Sequence, residues 1–228
     1  MRSSTTRRAW WHQTIRTAAV LAIAVVAAAA HAGTYNQTLS IGDDAPRWDK
    51  LPGTDGKTHS LDDLKESPVV VVVFTCNSCP YAVDAEDRLV KLQADFADRG
   101  VSVVAINVNK VEEDLMPAMQ QRAKEKKFEF AYLHDATQQI ARAYGAIYTP
   151  DFYVINKARQ VIYIGAMDDS PDGRNANKHY VRDAITAALA SKPAPQAETP
   201  AIGCRVRYER TRRSRRIISP ANEPAARQ

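Results

Sequence analysis

An α/β domain with a mixed central sheet flanked by helices is the fold class this sequence predicts, and three observations predict it. The run Val69 to Val73 with Phe74 is unbroken and β-branched, so it lacks the polar alternation of a half-exposed strand and reads as a central strand covered on both faces. Apolar segments then alternate with helical stripes, and strand–helix–strand connections of this kind require parallel neighbours joined by right-handed crossovers. Two alternating segments, Phe152 to Ile155 and Val161 to Ile164, flank the turn at Asn156-Lys157-Ala158-Arg159 and predict an antiparallel hairpin at the edge of the sheet.

The elements follow in order. Residues 1–32 have the form of a secretory signal peptide: Arg2, Arg7, Arg8 and Arg16, an uncharged apolar run from Ala18 to Ala30, then Ala30-His31-Ala32. The run is shorter than the roughly 20 residues a spanning helix needs, so cleavage near Ala32 and a periplasmic or secreted location are expected. Arg7-Arg8 matches a twin-arginine signal only weakly, and the export route stays open. Asp55-Gly56 marks a hairpin-like turn, and Ser60 caps a short helical turn at Leu61 to Leu64. After the valine strand comes Thr75-Cys76-Asn77-Ser78-Cys79-Pro80, then a helix with Ala82, Ala85, Leu89, Leu92 and Phe96 on one stripe, closed by Gly100. Val101 to Val108 reads as a second buried strand, Glu112 to Lys127 as a helix, Phe128 to Leu133 as a short strand and Thr137 to Tyr144 as a helix ending at Gly145. A last helix is expected from about Asn177 to Ala190.

This predicts one domain over residues 33–191, a proline-rich linker over 192–204 ending in Gly203-Cys204, and a basic, disordered tail over 205–228 with seven arginines in its first twelve residues. The formal net charge of +5 is misleading, because four of the 31 basic residues precede Ala32 and eight lie between Arg205 and Arg227. The folded part is mildly acidic, so no nucleic-acid partner is expected. The arginine run has the chemistry to touch anionic surfaces, and more often such a run is a solvated tail.

Chemistry concentrates at Cys76 and Cys79. Two cysteines at i and i+3, where a buried strand enters a helix, meet unpaired N–H groups and the positive end of the peptide dipoles. Cys76 is therefore expected to have a lowered pKa and act as nucleophile, with Cys79 one turn along as the resolving thiol. Pro80 fits the first helical turn at no cost in hydrogen bonds. A zinc half-site needs more ligands, and neither His134 nor His179 stands in a ligand-spaced cluster, so no metal is assigned; a structural disulfide is the plainer alternative. Tyr148-Thr149-Pro150 puts a proline at the mouth of a buried strand, which makes Pro150 a candidate cis-proline that turns the Thr149 backbone towards the cysteines. Cys204, an odd thiol in an oxidising compartment, is a candidate third redox thiol or an exposed free cysteine.

Strand, Cys76-x-x-Cys79, helix, then Tyr144 to Pro150 before a hairpin and a last helix together resemble the thioredoxin superfamily. The opening Ile41 to Pro46, with Asp55-Gly56-Lys57 and Leu61 to Leu64, is similar to its redoxin branch, the alkyl hydroperoxide reductase and thiol-specific antioxidant-like proteins, and residues 101–133 fit that branch's insertion. Cys76, Cys79, Pro80, Gly203 and Cys204 match a peroxiredoxin-like group with a Cys-x-x-Cys-Pro site and a late Gly-Cys. The resemblance covers roughly Thr38 to Cys204. It implies a thioredoxin-like three-layer fold, Cys76 as nucleophile, Cys79 as resolving thiol, Thr149 and Pro150 lining the substrate groove, protein thiols and disulfides as partners, and no cofactor. The sequence departs from the family pattern too. Val69 and Val73 stand where a peroxidase carries proline and threonine, and no acidic residue interrupts Val69 to Phe74, where thioredoxins bury a proton-relaying carboxylate. The function expected is an exported thiol–disulfide oxidoreductase; the alternatives are a thiol peroxidase and a cysteine-based metal-binding or redox-inert adaptor.

Overall fold

The computed structural model describes residues 33–210. A small hairpin of β1 (Leu51–Pro52) and β2 (Thr58–His59) precedes β3 (Val69–Thr75), α1 (Pro80–Phe96), β4 (Val101–Asn107), α2 (Met116–Glu125), β5 (Ala131–His134) and α3 (Gln139–Tyr144). The chain continues through β6 (Tyr148–Thr149), β7 (Asp151–Ile155), β8 (Val161–Gly165), α4 (Tyr180–Leu189) and β9 (Cys204–Arg205). The main sheet has the order β5-β4-β3-β7-β8. β3 is central: it runs parallel to β4 and antiparallel to β7, and β5 and β8 form the edges.

The valine run explains why β3 is central. Alternate side chains leave a strand on opposite faces. Val70, Val72 and Phe74 join one apolar cluster with Leu39, Trp48, Tyr144 and Tyr153, while Val69, Val71 and Val73 join a second with Leu89, Leu92 and Phe96 of α1 and Val181 and Ile185 of α4. The five valines are essentially inaccessible to solvent, and at roughly 1.5–3 kcal/mol each their burial contributes on the order of 10 kcal/mol, comparable to the net stability of a whole domain. This is the three-layer, mixed-sheet α/β fold expected from the sequence. After α1, a short 3-10 turn ends at Gly100 in the left-handed region (φ 73°), which lets the chain reverse into β4.

Two expectations differ from what is found. The helix expected over Glu112 to Lys127 is a 3-10 turn at Glu112–Asp114, an extended Leu115, and then α2. In a continuous helix the Pro117 ring would strike the carbonyl of Glu113, so the chain breaks before it and Asp114 turns inward. The segment just past Cys204, expected in the tail, packs on the domain: β9 pairs with β6, and Val206 is buried. Its arginines masked the apolar alternation of Val206 and Tyr208, which pack on the core. The signal-like segment 1–32 and residues 211–228 lie outside the described residues.

Candidate active site

Cys76 and Cys79 sit where β3 gives way to α1, and three chain segments converge on them. The helix begins at Pro80, which leaves Cys79 at its N-cap and Cys76 in the preceding loop. Both cysteines are buried, at 2% and 1% exposure, and Cys204 is half-buried against them; all three are unbonded. Opposite them, the Thr149–Pro150 peptide bond is cis. Thr149 meets both thiols: its Oγ1 lies 3.3 Å from Cys76 Sγ, and its carbonyl oxygen 3.0 Å from Cys79 Sγ. Cys204 is the register partner of Thr149 across the β6–β9 pair. Every residue named as a candidate from the sequence, Cys76, Cys79, Thr149, Pro150 and Cys204, is therefore in one place.

The two thiols of the pair share a hydrogen bond, so only one ionises readily. That contact pushes Cys76 upward, with desolvation and the nearby Asp114 carboxylate adding to it. The same contact draws Cys79 down from the ordinary thiol range, against desolvation and with help from the Cys204 thiol and the Ala82 N–H. The unpaired N–H groups of the first helical turn lie beside the pair, with Cys79 at the N-cap, and one negative charge is shared between the two sulfurs. The proton has a second place to rest. When Cys79 holds it, Cys79 Sγ donates to the Thr149 carbonyl, and Cys76 Sγ accepts from Thr149 Oγ1. One proton moving along the S–H···S contact thus transfers the charge between the two sulfurs.

Asp114 is the residue sequence reasoning missed. Its fully buried carboxylate accepts from the Asn77 N–H at 2.6 Å, the Ser78 N–H at 3.1 Å and the Ser78 hydroxyl at 2.5 Å, which fixes the two residues between the cysteines. It also accepts from Asn107 Nδ2 at 3.2 Å and Asn109 Nδ2 at 3.1 Å. Tyr132 donates to Asn77 Oδ1 at 2.9 Å and closes the loop from the other side. Within Glu112-Glu113-Asp114 the sequence offers only an acidic helix start, and nothing in the spacing separates the inward carboxylate from its solvated neighbours. A second buried acid, Asp151, follows Pro150; burial pushes it up to about 7, and its Oδ2 accepts from the Tyr153 hydroxyl at 3.0 Å. The expectation of a site with no buried carboxylate holds for β3 itself, but another segment of the chain brings Asp114 to the cysteines. Among the described residues no group of three His, Cys, Asp or Glu side chains is arranged to hold a metal.

Solved structures resemble this chain over most of its length. An uncharacterized conserved protein from Geobacillus kaustophilus shares 35% identity at a TM-score of 0.72, over 77% of this chain and 96% of that one. A hypothetical protein from Sinorhizobium meliloti 1021 shares 32% identity at 0.71, over 78% and 99%. A candidate thiol:disulfide interchange protein, DsbE, from Chlorobium tepidum shares 26% identity at 0.55, over 66% and 99%. No curated protein matches. Residues 41–164, from the segment before β1 to within β8 and including both cysteines of the pair, match the AhpC/TSA family; the chain belongs to that family of thioredoxin-like, thiol-based redox proteins.

Proposed function

We propose that the protein is an exported thiol–disulfide oxidoreductase that exchanges disulfides with protein partners through the Cys76–Cys79 couple. The observation that carries this reading is the pair of buried thiols at a helix entry, both within hydrogen-bond distance of Thr149 in the turn into Pro150. Export rests on the signal-like N-terminal pattern, with cleavage near Ala32.

In the reductive direction the proton of Cys76 passes to Cys79, and the Cys76 thiolate attacks one sulfur of a partner disulfide. The Cys76–partner bond forms as the partner's S–S bond breaks, and the departing partner sulfur takes the electron pair and a proton from solvent. Cys79 then attacks Cys76, the Cys76–Cys79 disulfide forms, and the second partner sulfur leaves with the proton of Cys79. Two electrons have moved to the partner. Thr149 serves both steps: its hydroxyl supports the Cys76 thiolate, and its carbonyl accepts the Cys79 S–H hydrogen bond until that proton goes to the leaving sulfur. No cofactor is required.

The test is reduction of insulin disulfides by the mature chain, with dithiothreitol as electron donor. Turnover is expected from the unaltered protein and none from Cys76→Ser; equal turnover from both would overturn the assignment. Mass measurement of protein purified from its own compartment checks the export step, with loss of residues 1–32 as the expected result.

A further inference from the structure

Cys204 is placed, not loose. β9 lies antiparallel to β6 with Tyr148 opposite Arg205 and Thr149 opposite Cys204, so the segment runs as an added strand along the backbone that leads into cis-Pro150. Gly203 passes so close to Thr149 that a Cβ there would sit 2.0 Å from the Thr149 carbonyl oxygen, and only glycine fits. The segment is held on both sides of the cysteine. Upstream, the Thr199 N–H donates to Ile164 O at 3.0 Å. Downstream, the Val206 N–H donates to Ile147 O at 2.8 Å, and the Arg207 N–H to Asn109 Oδ1 at 3.0 Å. Buried Gln138 clamps the end, donating to Arg207 O and accepting from the Glu209 N–H. The Tyr208 hydroxyl donates to Ala146 O at 2.6 Å. A tail carrying an adventitious cysteine would need none of these contacts.

We infer that residues 199–209 are a built-in substrate strand: they occupy the peptide groove beside Pro150 and present Cys204 as a third exchanging thiol, which moves the disulfide from Cys76–Cys79 to Cys79–Cys204. The inference rests on the exchange chemistry proposed above and deepens it. The step balances without an outside reagent. Cys204 Sγ attacks Cys79 Sγ, the Cys79–Cys204 bond forms, and the Cys76–Cys79 bond breaks. Cys76 leaves with the electron pair as a thiolate, supported by the hydroxyl of Thr149, and takes up the proton that Cys204 gives up. The chain remains oxidised by the same two electrons, and Cys76 is free again. The closed strand also accounts for the burial of both thiols of the pair, so a partner's extended segment must displace it, by adding its own strand to β6.

The test uses the full chain equilibrated in a glutathione redox buffer, quenched in acid, alkylated and mapped by peptide mass spectrometry. In Cys76→Ser the dominant oxidised species is expected to be monomer with Cys79 joined to Cys204. Recovery of Cys204 as a free thiol, bound to glutathione, or only in covalent dimers would overturn the inference. Cys204→Ser is expected to keep a reversible Cys76–Cys79 disulfide; its loss would strike the underlying exchange reading instead. Gly203→Val must lift the strand from Thr149, so it is expected to lose the Cys79–Cys204 link, keep Cys76–Cys79, and alkylate at the reduced pair about tenfold faster, as the open fraction rises. An undiminished Cys79–Cys204 link in Gly203→Val would show that the strand does not present Cys204, and would also overturn the inference.

Discussion

Replacing Asp114 with asparagine removes one charge and almost no volume, so its cost is a direct reading of the loop under the cysteines. The carboxylate accepts five hydrogen bonds, from Asn77 N, Ser78 N, Ser78 Oγ, Asn107 Nδ2 and Asn109 Nδ2. An amide has one oxygen, which best replaces the Oδ1 that serves both loop N–H groups; its NH2 then faces Ser78 Oγ and Asn109 Nδ2. The serine hydroxyl can turn and accept. Asn109 cannot, because flipping its amide takes away the oxygen that accepts from Arg207 N–H in the strand carrying Cys204. One or two buried donors are stranded at roughly 1–3 kcal/mol each, and the surviving bonds lose their charge assistance, so the loss is about 2–4 kcal/mol. For a domain of this size that is a fall in Tm of about 5–15 °C. Thermal unfolding of the reduced chain at pH 7, followed by circular dichroism, measures it. A loss under about 1 kcal/mol would refute the account of Asp114 as the anchor of the loop.

Burial pushes Asp151 up to about 7 from the ordinary 3.8, so the folded state binds a proton that the unfolded state has released across that interval. Stability is therefore full below pH 4, falls as pH rises through 7, and levels off above it, by an amount on the order of 4 kcal/mol. Asp151→Asn is expected to flatten this slope in urea unfolding measured at pH 5 and pH 8, and an unchanged slope would count against the assignment. The paired thiols are expected to yield a single thiolate with an apparent pKa below the ordinary thiol range, seen as ultraviolet thiolate absorbance, while Cys204, desolvated and facing the Cys79 thiolate, is held up to about 11. Two thiolates per chain at pH 7 would contradict the shared proton.

The elements that define the layers were legible because their side chains have no alternative use. Val69 to Phe74 admits only a two-sided burial, and the Cys76-x-x-Cys79-Pro80 spacing with Thr149-Pro150 named the residues that the fold gathers. Three features were not legible, for physical reasons. Asp114 owes its role to a chain break forced by Pro117, and only tertiary packing decides which of three consecutive acids turns inward. How the pair shares its one charge depends on the first helical residue, a boundary that sequence patterns place only to within a few residues. The strand at Cys204 hid behind its arginines: Arg205 lies 5.7 Å over the Tyr148 ring and Arg142 lies 4.2 Å over Tyr208, so residues that read as solvated charge are part of the packing.

The central claim, that Cys76 and Cys79 exchange disulfides with protein partners, is tested most directly by the Cys79→Ser chain. Without the resolving thiol, a partner caught on Cys76 cannot be released by the second step. Purified from its own compartment and analysed by mass spectrometry, this variant is expected to carry proteins joined to Cys76 through a bond that dithiothreitol cleaves. Recovery of Cys76 as a free thiol with no protein attached would contradict the account.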